Sequence, residues 1–320
     1  LSQFKNLTPA EVLERSENIP SVSIIGGSGS GKTTTANNQM NSKIALYTSI
    51  GIGEKNQTTN IPSNIILDSR IIRDEDFAIL IRKKDLDKKL ILQKILKAVV
   101  DEFLDNDYDV EETVENMKDE KWANKFLEPK DASYHLKLIK DNLNIKKLNE
   151  SIKELLEQFN LEEFKEKVSE RKKVLGKKAP KLKTLKKMVF TEYVLDPNLN
   201  NSIIKWIENI EYIIIDKLKK VFKVENPFIS SFSHTVEGIG KDILIELYNP
   251  QQPYSLVIDY IDIASRPREE AIKIMEKKDS NISLRMKLVD TIGVSQEGID
   301  EDSLTIGMDR SLSRSVNGII

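Results

Sequence analysis

Gly26, Gly31, Lys32 and Thr33 meet the pattern Gly-x-x-x-x-Gly-Lys-[Ser/Thr], within the stretch Gly26-Gly27-Ser28-Gly29-Ser30-Gly31-Lys32-Thr33-Thr34. The chemistry such a string offers is the cradling of a phosphate chain. Glycines let the backbone curl until successive N–H groups point inward at phosphate oxygens. Lys32 supplies a full charge against β- and γ-phosphates, and the Thr33 hydroxyl is placed for Mg²⁺. A helix beginning near Gly31 adds its positive dipole end. With ordinary residue usage, a chain this long contains the pattern by chance on the order of one time in a hundred. The competing reading, a flexible Gly/Ser linker, sits poorly between a buried strand and a helix.

A phosphate cradle also needs a carboxylate at a strand end to hold Mg²⁺ through water. Asp68, Asp216, Asp259 and Asp290 each follow apolar residues. Asp216 keeps the helical period of Ile203 to Val221, so it reads as a helix residue. Asp290 opens Asp290-Thr291-Ile292-Gly293, in which the Gly293 N–H can reach a γ-phosphate, whereas Asp259 opens only Asp259-Tyr260-Ile261-Asp262. Between the cradle and Asp290 lies Gln57-Thr58-Thr59-Asn60-Ile61-Pro62, behind Gly51 and Gly53. A threonine such as Thr59 in a mobile loop can close over Mg²⁺ and the γ-phosphate. Threonine pairs in loops also serve as plain turn formers.

The elements that must position these residues alternate. Thr8-Pro9-Ala10-Glu11 starts a helix, with an N-cap, a proline at the first helical position and an acidic first turn. Ser21 to Ile25 is a β-branched run that reads as a buried strand, and a helix follows from Lys32. Asn64 to Asp68 and Phe77 to Ile81 read as further strands. From Asp85 to about Val224 helical periodicity takes over, with Ile203, Ile207, Ile210, Ile214, Leu218 and Val221 on one face. Beyond Pro227, strands are expected at Asp242–Leu247, Ser255–Asp259 and Leu284–Asp290, with a helix at Arg266–Lys278. The expected fold class is therefore α/β, a P-loop NTPase sheet with a large all-α helical insertion. The expected division is 1–84 and 226–320 for the nucleotide domain, and 85–225 for the insertion.

Composition removes several function classes. With no cysteine and only His135 and His234, disulfides, thiolate metal sites and multi-histidine centres are excluded. Hydrophobic residues are 39% and charged residues 31%, which suits a globular chain with long solvated helices. A net charge of −2 predicts no whole-molecule attraction to nucleic acid or membrane. Arg171 to Lys187 carries nine Lys or Arg and no acid. It could dock on anionic lipid or nucleic acid, but pairing with the acidic stretch from Asp101 to Asp131 is the favoured reading. Trp122 and Trp206 fall in helical stretches and read as packing residues. No apolar run approaches ~20 residues and no signal peptide is apparent, so a cytoplasmic protein is expected.

Gly26-x-x-x-x-Gly31-Lys32-Thr33, Thr58-Thr59 and Asp290-x-x-Gly293, in that order, resemble the first three motifs of the translation-factor-related GTPases. The Thr-Thr pair looks like the Era type, and the helical additions look like the dynamin-like branch. The resemblance implies a Mg²⁺-dependent GTPase whose hydrolysis is coupled to conformational change in the helical part. Lys32 would bind phosphates, Thr33 and Thr59 would contact Mg²⁺, Asp290 would hold it through water, and Gly293 would touch the γ-phosphate. The family's base-recognition motif, Asn/Thr-Lys-x-Asp, is not found; Glu276-Lys277-Lys278-Asp279 is nearest, with the wrong first residue and before Asp290. Only twenty-seven residues follow Gly293, so that motif is expected beyond the end of this segment. ATP thus stays open beside GTP. An ATPase of the ABC or SMC kind would want a glutamate directly after the metal aspartate, where Thr291 stands. A nucleotide-binding regulatory or scaffold module with little hydrolysis is the alternative of another class. A homodimer or a protein partner would engage through the helical insertion.

Overall fold

Thr8 begins the first helix through reciprocal hydrogen bonds. Its hydroxyl accepts from the Glu11 N–H at 3.3 Å, and the Glu11 carboxylate accepts from the Thr8 N–H at 2.8 Å. This is a capping box, satisfying two donors that a helix start would otherwise leave open. The structure, a computed structural model, describes residues 5–24, 31–49, 61–117, 145–194, 201–229, 231–249, 252–279 and 283–290. By contacts these divide into two compact units, one holding residues up to Asp85 and from Ile214 onward, the other Leu86 to Ile213.

The first unit is a six-stranded mixed sheet with helices. In chain order its strands are β1 (Ser21–Ile24), β2 (Ser63–Asp68), β3 (Asp76–Lys83), β4 (Phe232–Thr235), β5 (Ile258–Ser265) and β6 (Arg285–Asp290). They lie side by side as β1-β6-β2-β5-β3-β4. β1 runs parallel to β6, and β2 parallel to β5; β2 is antiparallel to β6, and β3 to both β4 and β5. Residues far apart in sequence therefore meet: Ile24 and Ser63 both stand opposite Asp290.

Alternation along the strands sorts the two faces. Helix α1 (Pro9–Glu14) buries Val12 and Leu13 against Ile66, Ala78 and Ala264 on one face. Asp290 and Ser63, an odd number of residues from Ile66 in register, point to the other. Two short helices follow β1, α2 (Lys32–Asn37) and α3 (Ser42–Thr48). The Asn37 amide ties them by donating to the Thr48 carbonyl at 3.1 Å and to Ser49 Oγ at 3.2 Å.

The second unit is helical among its described residues. It contains α4 (Lys88–Asp105), α5 (Val110–Met117), α6 (Ile145–Glu157), α7 (Leu161–Leu175) and α8 (Leu182–Val194), and the start of α9 (Asn201–Phe222). Its core includes an aromatic cluster in which Phe103, Phe159, Phe164 and Phe190 have ring centroids 5.0–5.9 Å apart. Ile203, Trp206, Ile207, Ile210, Ile214 and Leu218 of α9 are buried, the helical spacing expected, with Phe222 rather than Val221 as the last buried position. Among the described residues, no helix is long and apolar enough to cross a membrane.

Three expectations need correction. Asp242 to Leu247 is not a strand but part of helix α10 (Ile239–Leu247). Its buried set is Gly240, Ile243, Leu244 and Leu247, spaced as one helix face, and short apolar runs do not distinguish the two states by themselves. Gly240 explains the packing: a Cβ there would lie 1.8 Å from the Thr235 carbonyl oxygen, so only glycine brings the helix start against β4. The strand expected at Ser255 to Asp259 begins only at Ile258, because Pro253–Leu256 is a 3₁₀ turn. Asp259 therefore stands near the start of β5, not at a strand's carboxyl end. The last helix, α11 (Glu269–Lys278), starts after Pro267 rather than at Arg266.

Candidate functional site

Adjacent parallel strands bring the chemistry together. β1 ends at Ile24, beside Asp290, and the glycine-rich segment follows it. Gly26, Gly27, Ser28, Gly29 and Ser30 lie outside the described residues. The segment re-enters at Gly31, which precedes α2 with φ 83°. Among the described residues, its chain neighbours aside, no atom lies within 4 Å of where its Cβ would be, and the left-handed backbone itself calls for glycine there. Lys32 and Thr33 form the first turn of α2, followed by Thr34.

Thr33 Oγ1 donates to Asp290 Oδ2 at 2.7 Å. Asp290 is only 1% exposed, and its second oxygen, Oδ1, is buried with no hydrogen-bond partner among the described residues. Burial pushes this carboxyl up to about 6, against the opposing pull of the Thr33 hydrogen bond and the Lys32 charge. Lys32 is itself buried; burial lowers its ammonium pKa and the Asp290 carboxylate raises it. A hydroxyl, a carboxylate with one oxygen unsatisfied and an ammonium thus gather where β1 and β6 end. A buried acceptor without a donor is costly unless something supplies the missing interaction.

Register also decides among the carboxylates. Because β2 runs antiparallel to β6, Asp68 pairs with Arg285 at the opposite end of the sheet from Asp290. There it is occupied: Arg70 donates through Nη2 to Oδ2 at 2.5 Å and through Nε to Oδ1 at 2.9 Å. Asp216 is a helix residue ion-paired with Lys220 at 2.7 Å.

Thr58, Thr59, Thr291 and Gly293 lie outside the described residues. The strand ends that carry them are described: β2 starts at Ser63, four positions after Thr59, and β6 stops at Asp290, three before Gly293. Ser63 and Asp290 face each other across the β2–β6 ladder. Sequence reasoning missed Ser63 and Tyr248, whose hydroxyls lie 3.1 Å apart beside Asp290.

The donor set fits a divalent cation held partly by a polyanion. Among the described residues, no group of three His, Cys, Asp or Glu side chains could cage a metal. Mg²⁺ does not need one: it commonly takes one or two protein oxygens and completes its octahedron with phosphates and water. Thr33 and Asp290 would provide that minimum.

Other candidate residues stand apart from this site. His234 lies on β4 against Phe77, with burial lowering its pKa and Nε2 buried without a partner. His135 and Trp122 lie outside the described residues. In the basic run, Arg171 pairs with Glu192 at 3.0 Å, Lys183 with Asp105 at 2.5 Å, and Lys187 with Asp101. Comparison with protein-family models, curated proteins and solved structures gives no match for the chain.

Proposed function

We propose that the chain is a Mg²⁺-dependent P-loop nucleoside triphosphatase with GTP as its expected substrate. The observation that supports this best is the 2.7 Å contact between Thr33 and Asp290, whose other oxygen is buried without a donor. The glycine-rich pattern by itself asks only for a phosphate. A hydroxyl next to Lys32, joined to a strand-end carboxylate far along the chain, asks for a cation beside that phosphate.

In this reading the amides from Gly27 to Thr33 wrap the polyphosphate, and Lys32 neutralises its β- and γ-oxygens. Thr33 and Asp290 flank the cation, Thr33 from the helix and Asp290 from the end of β6. Burial matters to Lys32 and Asp290, since a charge is worth more in a site from which water is excluded. Mg²⁺, when bound, would withdraw charge from the phosphate oxygens during transfer. Thr59 and Gly293 would close over the γ-phosphate from the segments next to Ser63 and Asp290. The register of those two residues supports such a meeting.

Single-turnover hydrolysis of GTP and of ATP, each with Mg²⁺ or with EDTA, tests the proposal. Cleavage of GTP that needs Mg²⁺ and is lost in Lys32→Ala is the expected result. Preference for ATP would redirect the base assignment, and tight binding without cleavage would favour a regulatory module. Neither binding nor cleavage of either nucleotide would end the reading.

A further inference from the structure

Ser63, the first residue of β2, is 3% exposed and stands opposite Asp290 in the ladder. Its Oγ lies 3.1 Å from the hydroxyl of Tyr248, the residue that caps the C-terminus of α10. Cross-strand partners carry Cβ atoms about 4.5–5.5 Å apart; no hydrogen bond joins the Ser63 hydroxyl to the Asp290 carboxylate, and one water would span the gap between them. Each hydroxyl has a single proton to give. The negative field of Asp290 favours the arrangement in which Tyr248 donates to Ser63, leaving the Ser63 proton for the carboxylate side. Burial pushes the Tyr248 phenol up to about 12, against the opposing Ser63 hydrogen bond and with a smaller push from the Asp290 charge.

Tyr248 is held where this requires. Its N–H closes α10 on the Leu244 carbonyl at 3.0 Å. Two residues before it, Glu246 accepts from the Tyr254 hydroxyl at 2.7 Å and faces Lys217 at 3.7 Å. Among the described residues the Tyr248 phenol has one hydrogen-bond partner, Ser63, on the strand beside Asp290.

We infer that Ser63 and Tyr248 form a two-hydroxyl relay that positions the Asp290 carboxylate for its divalent cation. The inference rests on the nucleotide-binding reading above and adds α10 to the site. Both are positioning residues, acting through Asp290. Partners of this kind commonly change metal affinity by about an order of magnitude or more.

The test compares the whole chain with Tyr248→Phe, Ser63→Ala, Ser63→Thr and the Ser63→Ala/Tyr248→Phe double variant. Binding of a fluorescent GTP analogue is measured in EDTA and across a Mg²⁺ titration, with thermal unfolding recorded for each. Tyr248→Phe and Ser63→Ala should each raise the Mg²⁺ midpoint roughly 10-fold while affinity in EDTA and the unfolding temperature stay close to the parent's. Ser63→Thr, which keeps a hydroxyl, should restore the parent midpoint, and the double variant should be no worse than the worse single. Parent-like Mg²⁺ midpoints in Tyr248→Phe would overturn the relay while leaving the nucleotide reading intact. A parent that binds no nucleotide in any condition would overturn both. If Ser63→Ala does not fold, Tyr248→Phe, which retains the ring, decides.

Discussion

Thr33 and Asp290 are 257 positions apart in the chain and 2.7 Å apart in the fold. One is on the first turn of α2 and the other on the last residue of β6. Two adjacent parallel strands, β1 and β6, make the meeting possible: α2 follows the end of β1, and Asp290 is that end's register partner. The arrangement leaves a carboxylate oxygen buried and unsatisfied, a cost that a bound cation and its waters would relieve.

Lys32 carries the phosphate part of the account. Replacing it with methionine removes a charge-assisted contact worth about 1.5–3 kcal/mol, so nucleotide affinity should fall by at least roughly tenfold. Because the Lys32 charge also faces the buried Asp290 carboxylate, thermal unfolding is recorded alongside to show that the variant stays folded. Nucleotide titration checks the affinity; parent-like affinity in Lys32→Met would remove Lys32 from the site.

Asp290 predicts an unusual pH dependence. Its carboxyl is raised from 3.8 to about 6, chiefly by burial. Raising a carboxyl on folding reverses the common case. Below about pH 4 both folded and unfolded chains hold the proton, and no stability is lost. From there to about pH 6 the unfolded chain gives up its proton first, so stability declines as pH rises and then levels off. The full penalty is on the order of 2–3 kcal/mol. Asp290→Asn should flatten this decline and be more stable than the parent at pH 7 without divalent ions. Urea unfolding from pH 4 to 7 measures it, and an unchanged slope in the variant would place the effect elsewhere.

Gly240 tests the helical assignment of the segment once expected to be a strand. Gly240→Ala would set a methyl 1.8 Å from the Thr235 carbonyl, which cannot move without shifting β4. A loss of about 1–3 kcal/mol is expected from such overpacking. Chemical denaturation provides the readout, and a neutral substitution would contradict the close approach of α10 and β4.

Much of the site is legible in the sequence because its signals are local. The glycines, Lys32 and Thr33 occupy one short string, and Asp290 is flagged by Gly293 three positions on. What the string cannot contain is register. Asp68 ends an apolar run as Asp290 does, and only the antiparallel pairing of β2 with β6 sends it to the far end of the sheet, opposite Arg285. Ser63 and Tyr248 carry no signal of their own, since a serine at a strand start and a tyrosine after a helix are ordinary. The segment around Ile243 misleads for another reason: four apolar residues in six fit a strand or one buried helix face, and the close contact at Gly240 decides between them.

The account's central claim is that Thr33 and Asp290 together hold a cation beside a bound polyphosphate. Calorimetric titration of GTP into the parent, Thr33→Val and Asp290→Asn, each with Mg²⁺ and with EDTA, tests it most directly. The parent should bind more tightly with Mg²⁺, and each variant should lose that increment while keeping its affinity in EDTA. A Mg²⁺ increment that survives in both variants would contradict the claim.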